Sequence, residues 1–242
     1  MRKLLTILFV LAVSGIATAK AKDTYVKMET AKGECIVKLY NETPKHRDNF
    51  VRLVKNGFYN KTLFHRVIQN FMIQGGDQKS KTANPGELLG DGDLGYRVPA
   101  EFNPDLFHKK GALAAARDDN PEKFSSASQF YLVQGQTYTD RELDMIERTR
   151  LGGRKIPAAQ REVYKSLGGT PFLDQNYTVF GEVVKGIEMV DSIAMVDKDQ
   201  NDRPLQDIPM KVSLLKKRQI KKLEKELIQE SFRQSLIMKT RS

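Results

Sequence analysis

Eight short apolar runs punctuate residues 24–215, and turn-forming residues bound each of them. Val26 and Met28 alternate with polar neighbours, Ala31-Lys32-Gly33 supplies a turn, and 35–40 returns, which is the pattern of a hairpin with one buried face. Similar runs recur at 63–68, 71–74, 112–116, 129–133, 179–184 and 210–215. Runs this short suit strands better than helices. Only two stretches carry a core-type helical stripe. Thr43 can cap the first, Pro44 suits its first turn and Gly57 ends it, with Phe50, Leu53 and Val54 on one side. The second covers 187–196, with Ile187, Val190, Ile193 and Ala194 aligned. Many strands and two well-separated helices predict a mainly β chain, a closed antiparallel eight-stranded barrel capped by two α-helices.

Two segments fall outside this pattern and predict a helical insertion and a C-terminal helical extension. Over about 139–169, Thr139 and Glu142 form a capping box, Leu143, Ile146 and Glu147 continue a helix, and Gly152-Gly153 breaks it. Pro157 starts a second short helix that Gly168-Gly169 stops. In the tail, 216–242, Ile220, Leu223, Leu227 and Ile228 recur at helical spacing among nine Lys or Arg and three Glu. The formal net charge of +10 sits mostly there, so the remaining chain has an ordinary balance and no nucleic-acid partner is expected. The tail reads as a basic amphipathic helix that packs on its own domain, meets a partner helix or touches an anionic membrane surface weakly.

The chain opens as a secretory leader does. Arg2 and Lys3 precede an apolar stretch, 4–13, and Ala17-Thr18-Ala19 is a small-x-small cleavage site. Residues 1–19 are read as a signal peptide, with cleavage after Ala21 as second choice. The apolar stretch is too short to span a bilayer, so export to the periplasm or beyond is favoured over a retained N-terminal anchor. The single cysteine, Cys35, can make no disulfide within the chain and reads as a small core residue. No cluster has metal-ligand spacing, and neither metal nor cofactor is expected.

The stretch 64–77, FHRVIQNFMIQGGD, carries the most chemistry. Strict strand alternation puts Phe64 and Arg66 on one face and His65 and Val67 on the other. Met72 and Gln74 share a face, and Gly75-Gly76 lets the backbone turn or approach a ligand closely. An arginine, an amide and two large apolar groups then surround one groove. The set lacks a nucleophile–base pair, which points to chemistry without covalent intermediates or proton transfer.

This stretch resembles the cyclophilin signature, and the resemblance continues over 24–215 outside the insertion. Asn49-Phe50, Leu53 and Gly57-Phe58-Tyr59 are similar to the family's approach to its site, and 126–132, SASQFYL, resembles a second signature. Leu173-Asp174 followed by 177–183, YTVFGEV, resembles a third. The resemblance implies a peptidyl-prolyl cis/trans isomerase domain over 23–215 that acts on proline-containing polypeptides without a cofactor. It implies that Arg66 and Gln74 are catalytic, that Phe71, Met72 and Leu173 wall a proline pocket, and that Gln74 and Gln129 hold the substrate backbone. Ala116 then lines the groove. Four further substrate-binding positions depart from common family members. Tyr131 stands where a Phe is usual, Phe172 where drug-sensitive members have Trp, Tyr177 where many eukaryotic members have His, and Arg117 where Asn is frequent. Gln69-Asn70 likewise replaces a common Pro-Gly turn. His65 is read as a packed, hydrogen-bonded core residue and Asp77 and Asp174 as turn residues. The insertion is either a lid or wall beside the pocket or inert decoration. A monomer is expected, and the competing reading is a cyclophilin-fold binding module or holdase with little turnover.

Overall fold

The computed structural model describes residues 22–240. The leader expected over 1–19 lies outside these residues. The first hairpin pairs β1 (Thr24–Thr30) with β2 (Gly33–Leu39), and α1 (Pro44–Lys55) follows. Next come β3 (Phe64–Ile68), β4 (Met72–Gly75), β5 (Arg97–Val98), β6 (Ala112–Ala115), β7 (Ser125–Ser126) and β8 (Phe130–Val133). The insertion supplies α2 (Asp140–Thr149) and α3 (Ala158–Ser166), and a 3₁₀ turn, Pro171–Leu173, leads into β9 (Val179–Lys185). The chain closes with α4 (Glu188–Ala194), β10 (Lys211–Leu214) and α5 (Lys217–Thr240). Eight strands build one antiparallel sheet in the order β10-β1-β2-β9-β6-β8-β4-β3, while β5 and β7 pair separately.

The sheet is strongly curled but open, so the closed barrel expected from sequence is corrected to a half-barrel with flanking helices. Its edges are β10 and β3. Where they approach, one isolated bridge joins Leu63 and Pro209, flanked by Lys61 N–H to Met210 O (2.9 Å) and Phe64 N–H to Ile208 O (3.0 Å). The bridge is a non-hydrogen-bonded pair, framed by Phe64 N–H to Ile208 O and by Met210 N–H to Thr62 O (2.9 Å), so Pro209 needs no N–H there. Beyond these contacts the two edge strands do not pair along their length.

Period-2 alternation sorts side chains onto two faces. Leu113, Ala115, Phe130, Leu132 and Ile73 enter the main core with Phe50 and Leu53 of α1 and Val190 and Ile193 of α4. Phe130 meets Phe50 edge-on at 5.6 Å and Tyr59 at 5.5 Å, contacts worth about 0.5–1.5 kcal/mol each beyond their buried area. The other face carries Ala112, Ala114, Ala116, Met72, Tyr131 and Val133. Three alanines in alternate positions leave room on that face for something to lie against it.

The start of α1 is not capped as the sequence suggests. Thr43 makes no side-chain cap. Instead Glu101, far along the chain, accepts the N–H groups of Lys45 (3.0 Å) and His46 (2.9 Å) and holds the His46 ring at 2.7 Å. A carboxylate at this end also meets the positive pole of the helix. In the insertion the Thr139/Glu142 capping box forms, and Leu143, Ile156 and Tyr164 make a small core with Tyr138 and with Phe107, whose ring meets Tyr164 edge-on at 5.4 Å. The buried Glu147 accepts from Lys155 (2.6 Å), Ile156 N–H (3.0 Å) and Arg161 (3.0 Å), tying α2 to α3. Helix α5 rests on the domain through buried Leu223 and a Lys185–Glu226 pair at 2.8 Å, and Ile228 and Phe232 face outward. No helix among the described residues is long and apolar enough to cross a membrane.

Candidate active site

Strand β3 does not alternate strictly. Its register against β4 shifts between Phe64, opposite Gly75, and Arg66, opposite Gln74. This bulge places both Phe64 and Val67 in the main core and leaves Arg66 and Ile68 on the other face. The expectation that Phe64 and Arg66 share a face is thus corrected, because one unpaired residue resets the alternation. Arg66 remains 42% exposed. Its Nε lies 3.7 Å from Asp202 Oδ2, an ion pair too long for a hydrogen bond, and among the described residues its guanidinium makes no side-chain hydrogen bond.

Arg66 stands at a small concavity of about 120 Å³ lined with Phe71, Met72, Ala116, Leu173 and Tyr131. Gln74, Arg117 and Tyr177 complete the lining. The hollow is small, and its lining mixes aromatic and aliphatic groups with the polar side chains of Arg66, Gln74 and Arg117. Ala116, just past the end of β6, is the alanine that lines it. Phe172 does not line it, but its ring lies 5.8 Å from that of Phe71 and stiffens the wall behind. Arg117 is neither a solvated charge nor a free donor. Its Nε and Nη2 donate to the backbone and side-chain oxygens of Asn176 (3.1 and 3.0 Å), and it stacks over the Tyr177 ring at 4.8 Å.

Gln129 lies next door, on a second concavity of about 380 Å³ that shares Gln74, Ala116 and Arg117 with the first. Its amide nitrogen donates to the carbonyls of Gly90 and Gly92, both at 2.9 Å, and its oxygen accepts from Gln74 Nε2 at 3.0 Å. Asp77 grips the same loop from behind by accepting the N–H groups of Gly90 (2.6 Å) and Gly92 (3.2 Å). Gly92 has to be glycine there, because any Cβ would overlap the Asp77 carboxylate. Gln129 therefore spends its amide hydrogens inside the protein and orients Gln74, whose own oxygen is left as an acceptor facing the groove.

Behind the pocket the Tyr131 hydroxyl finds a partner that sequence reasoning did not supply. It lies 2.9 Å from Nε2 of the fully buried His108, whose Nδ1 lies 2.9 Å from Asp174 Oδ1. Asp174 also accepts the Tyr164 hydroxyl at 2.7 Å, so it is more than a turn residue. Burial pushes the Tyr131 and Tyr164 hydroxyls well above the usual phenol range, and both are neutral donors. A carboxylate only accepts, so His108 carries its proton on Nδ1 and Nε2 accepts from Tyr131. No local pattern announces this chain, because its members are far apart in sequence.

Among known proteins, residues 25–213 match the family described as cyclophilin type peptidyl-prolyl cis-trans isomerase/CLD. A putative peptidyl-prolyl cis-trans isomerase of Staphylococcus aureus strain USA300 is 38% identical over 184 residues, covering 76% of this chain and 87% of its own. One from Staphylococcus saprophyticus is 37% identical over 182 residues, covering 75% and 86%. A cyclophilin type isomerase from Cryptosporidium parvum superposes with a TM-score of 0.60 at 21% identity, over 81% of this chain and 99% of that one. A second crystal structure of it, determined in the presence of the dipeptide Ala-Pro, gives 0.59 at 22% identity over 79% and 99%; at such identities the likeness concerns the fold. The chain belongs to the cyclophilin-type peptidyl-prolyl cis-trans isomerases. Residues 25–213, with α2 and α3 among them, carry the family's isomerase domain.

His65, at the bulge, is 3% exposed and packed as expected, but neither ring nitrogen has a hydrogen-bond partner. Burial pushes its pKa down to about 4; Asp77 and the nearby Leu63 backbone oppose the shift, the latter without forming a well-aligned hydrogen bond, and Arg66 and Arg203 assist it. The folded state thus resists protonation that the unfolded chain accepts near 6.5. Stability is fully present above that value and is lost as pH falls toward 4, by roughly 3 kcal/mol at 1.36 kcal/mol per unit. Urea unfolding of the parent and His65→Phe between pH 7 and 4 is expected to show a shallower decline in the variant. Equal declines would mean that His65 does not resist protonation.

Proposed function

We propose that the protein accelerates cis/trans isomerisation of X-Pro bonds in other polypeptides, with Arg66 as the catalytic residue. The reading is carried by one observation, a half-exposed guanidinium with no side-chain hydrogen bond among the described residues, beside a small hollow walled by Phe71, Met72, Leu173 and Tyr131. Rotation about the amide removes its C–N double-bond character, at a barrier of about 18–20 kcal/mol. In the twisted state the prolyl nitrogen becomes pyramidal and gains a lone pair. Arg66 donates a hydrogen bond to that nitrogen and steadies the adjacent carbonyl, an interaction made mainly in the transition state. Its charge needs no pKa tuning. Phe71, Met72, Leu173 and the Tyr131 ring hold the proline and exclude water, which favours the planar, polar amide. Gln74 accepts a substrate backbone N–H, and Gln129 keeps it pointed there. Arg117 braces Tyr177 at the rim, Ala116 forms the floor, and Phe172 supports Phe71. The larger neighbouring concavity takes residues flanking the proline.

We further propose that the protein is exported through the leader at 1–19 and works as a monomer on folding chains in the bacterial envelope. In α5, Arg218, Lys221 and Lys225 fall on the same outward face as Ile228 and Phe232, opposite the buried Leu223. No acid lies along that face from Arg218 to Phe232. Ile228 and Phe232 are 70% and 63% exposed. Cations beside apolar groups suit an anionic lipid surface, at about 1 kcal/mol per basic residue.

Arg66→Ala is expected to fold normally by circular dichroism and to lose about 10²–10³ in kcat/KM for an X-Pro peptide, the loss typical of removing one transition-state donor. A folded variant with the parent's rate would remove Arg66 from the reaction. For the tail, the protein is expected to sediment with vesicles containing phosphatidylglycerol at low salt and not with phosphatidylcholine alone. Lys221→Glu with Lys225→Glu should abolish that binding. Sedimentation that is equal with both lipids, or unchanged by the charge reversal, would contradict it.

A further inference from the structure

We infer that the insertion, 139–169, sets the rear wall of the proline pocket, and that Tyr164 is the positioning residue through which it does so. The inference rests on the proposed proline site. Three contacts from the insertion converge on the turn Pro171–Leu173 and the Asp174 that follows it. Tyr164, on α3, donates its hydroxyl to Asp174 Oδ2 at 2.7 Å. Arg154 Nη2 donates to the Asp174 carbonyl at 2.8 Å. The Arg150 guanidinium sits 5.0 Å from the centre of the Phe172 ring. That turn carries Phe172 and Leu173, the support and the wall of the pocket.

Decoration would satisfy itself within its own core. Tyr164 packs there with Leu143 and Ile156, a task its ring alone performs. Its hydroxyl reaches out of that core to a carboxylate whose Oδ2 has no other donor among the described residues. The remaining oxygen, Oδ1, accepts both the backbone N–H and Nδ1 of His108, each at 2.9 Å. His108 in turn fixes the Tyr131 hydroxyl, and the two rings lie nearly parallel, 13° apart. One buried carboxylate therefore sets two pocket walls, Leu173 through its own backbone and Tyr131 through His108. Without the Tyr164 hydroxyl, Asp174 is left with an unmet buried acceptor, a costly state. It relieves that state by rotating or taking up water, and the His108 proton and the Tyr131 ring lose their fixed positions.

The experiment compares the parent, Tyr164→Phe and Ile146→Ala, which weakens the insertion's core without reaching Asp174. Two readouts are taken well below the unfolding temperature: KM and kcat for an X-Pro peptide, and the ¹⁵N signals of the His108 ring. Tyr164→Phe is expected to stay folded, to lose about tenfold in kcat/KM mainly through KM, and to shift the His108 nitrogens away from a pure Nδ1–H tautomer. Ile146→Ala is expected to lower the melting temperature and to change kcat/KM less than twofold. The inference is overturned if Tyr164→Phe lowers the melting temperature yet leaves KM and the His108 signals unchanged, or if Ile146→Ala raises KM equally. Should the parent itself show no turnover, the isomerase reading fails, and the His108 signals alone decide the coupling: a shift in Tyr164→Phe supports it and none overturns it.

Discussion

The bulge in β3 is the constraint on which the site depends. A strand that alternated strictly would send Arg66 to the same side as Phe64, into the aromatic core beside Phe130, where an unpaired guanidinium would face a large desolvation cost. With His65 unpaired in the ladder, Phe64 and Val67 both enter the core and Arg66 turns to the other face. Packing thus holds the charge in place, since Arg66 cannot move inward without expelling core side chains. His65 bears part of the cost as a buried ring without a hydrogen-bond partner.

Around that point the protein builds a rigid pocket from small parts. Ala116, just past β6, lines a hollow that a larger residue would fill. Several polar groups behind it position the walls. Asp77 and Gln129 hold the glycine loop and aim Gln74, Asn176 holds Arg117 under Tyr177, and Asp174 and His108 hold Tyr131. Such satisfied networks stiffen a site at little cost, whereas each unmet partner would be expensive. Arg66 is the exception: its only partner among the described residues is Asp202, in an ion pair too long for a hydrogen bond.

What the sequence made legible was local. The hairpin of β1 and β2, the stripe of α1, the Thr139/Glu142 box and the glycine stops of the insertion rest on neighbours within a few residues, and all appear in the structure. The residues of the resembling motifs, with Arg66, Phe71, Met72, Gln74, Ala116 and Tyr131 among them, come together on one concavity. The misses were long-range. The closed barrel fails because β10 and β3, the sheet's edges, meet over a single bridge, and strand patterns do not report how far two edges pair. The α1 cap was misassigned because Glu101 reaches it from a distant loop, and Asp174 read as a turn residue because its partners lie in the insertion and before β6. A bulge adds one residue without any marker in the apolar pattern, so β3 was aligned wrongly from its start.

The central claim is that the pocket turns over prolyl bonds and does more than hold them. Exchange NMR on a short X-Pro peptide, with substoichiometric protein, separates the two. Turnover predicts exchange cross-peaks between the cis and trans proline signals on a timescale of a second or less, against about 10–100 s without catalyst, and their disappearance with Arg66→Ala. Peptide signals that shift on binding while cis and trans remain in slow, uncatalysed exchange would contradict the account and leave a binding module.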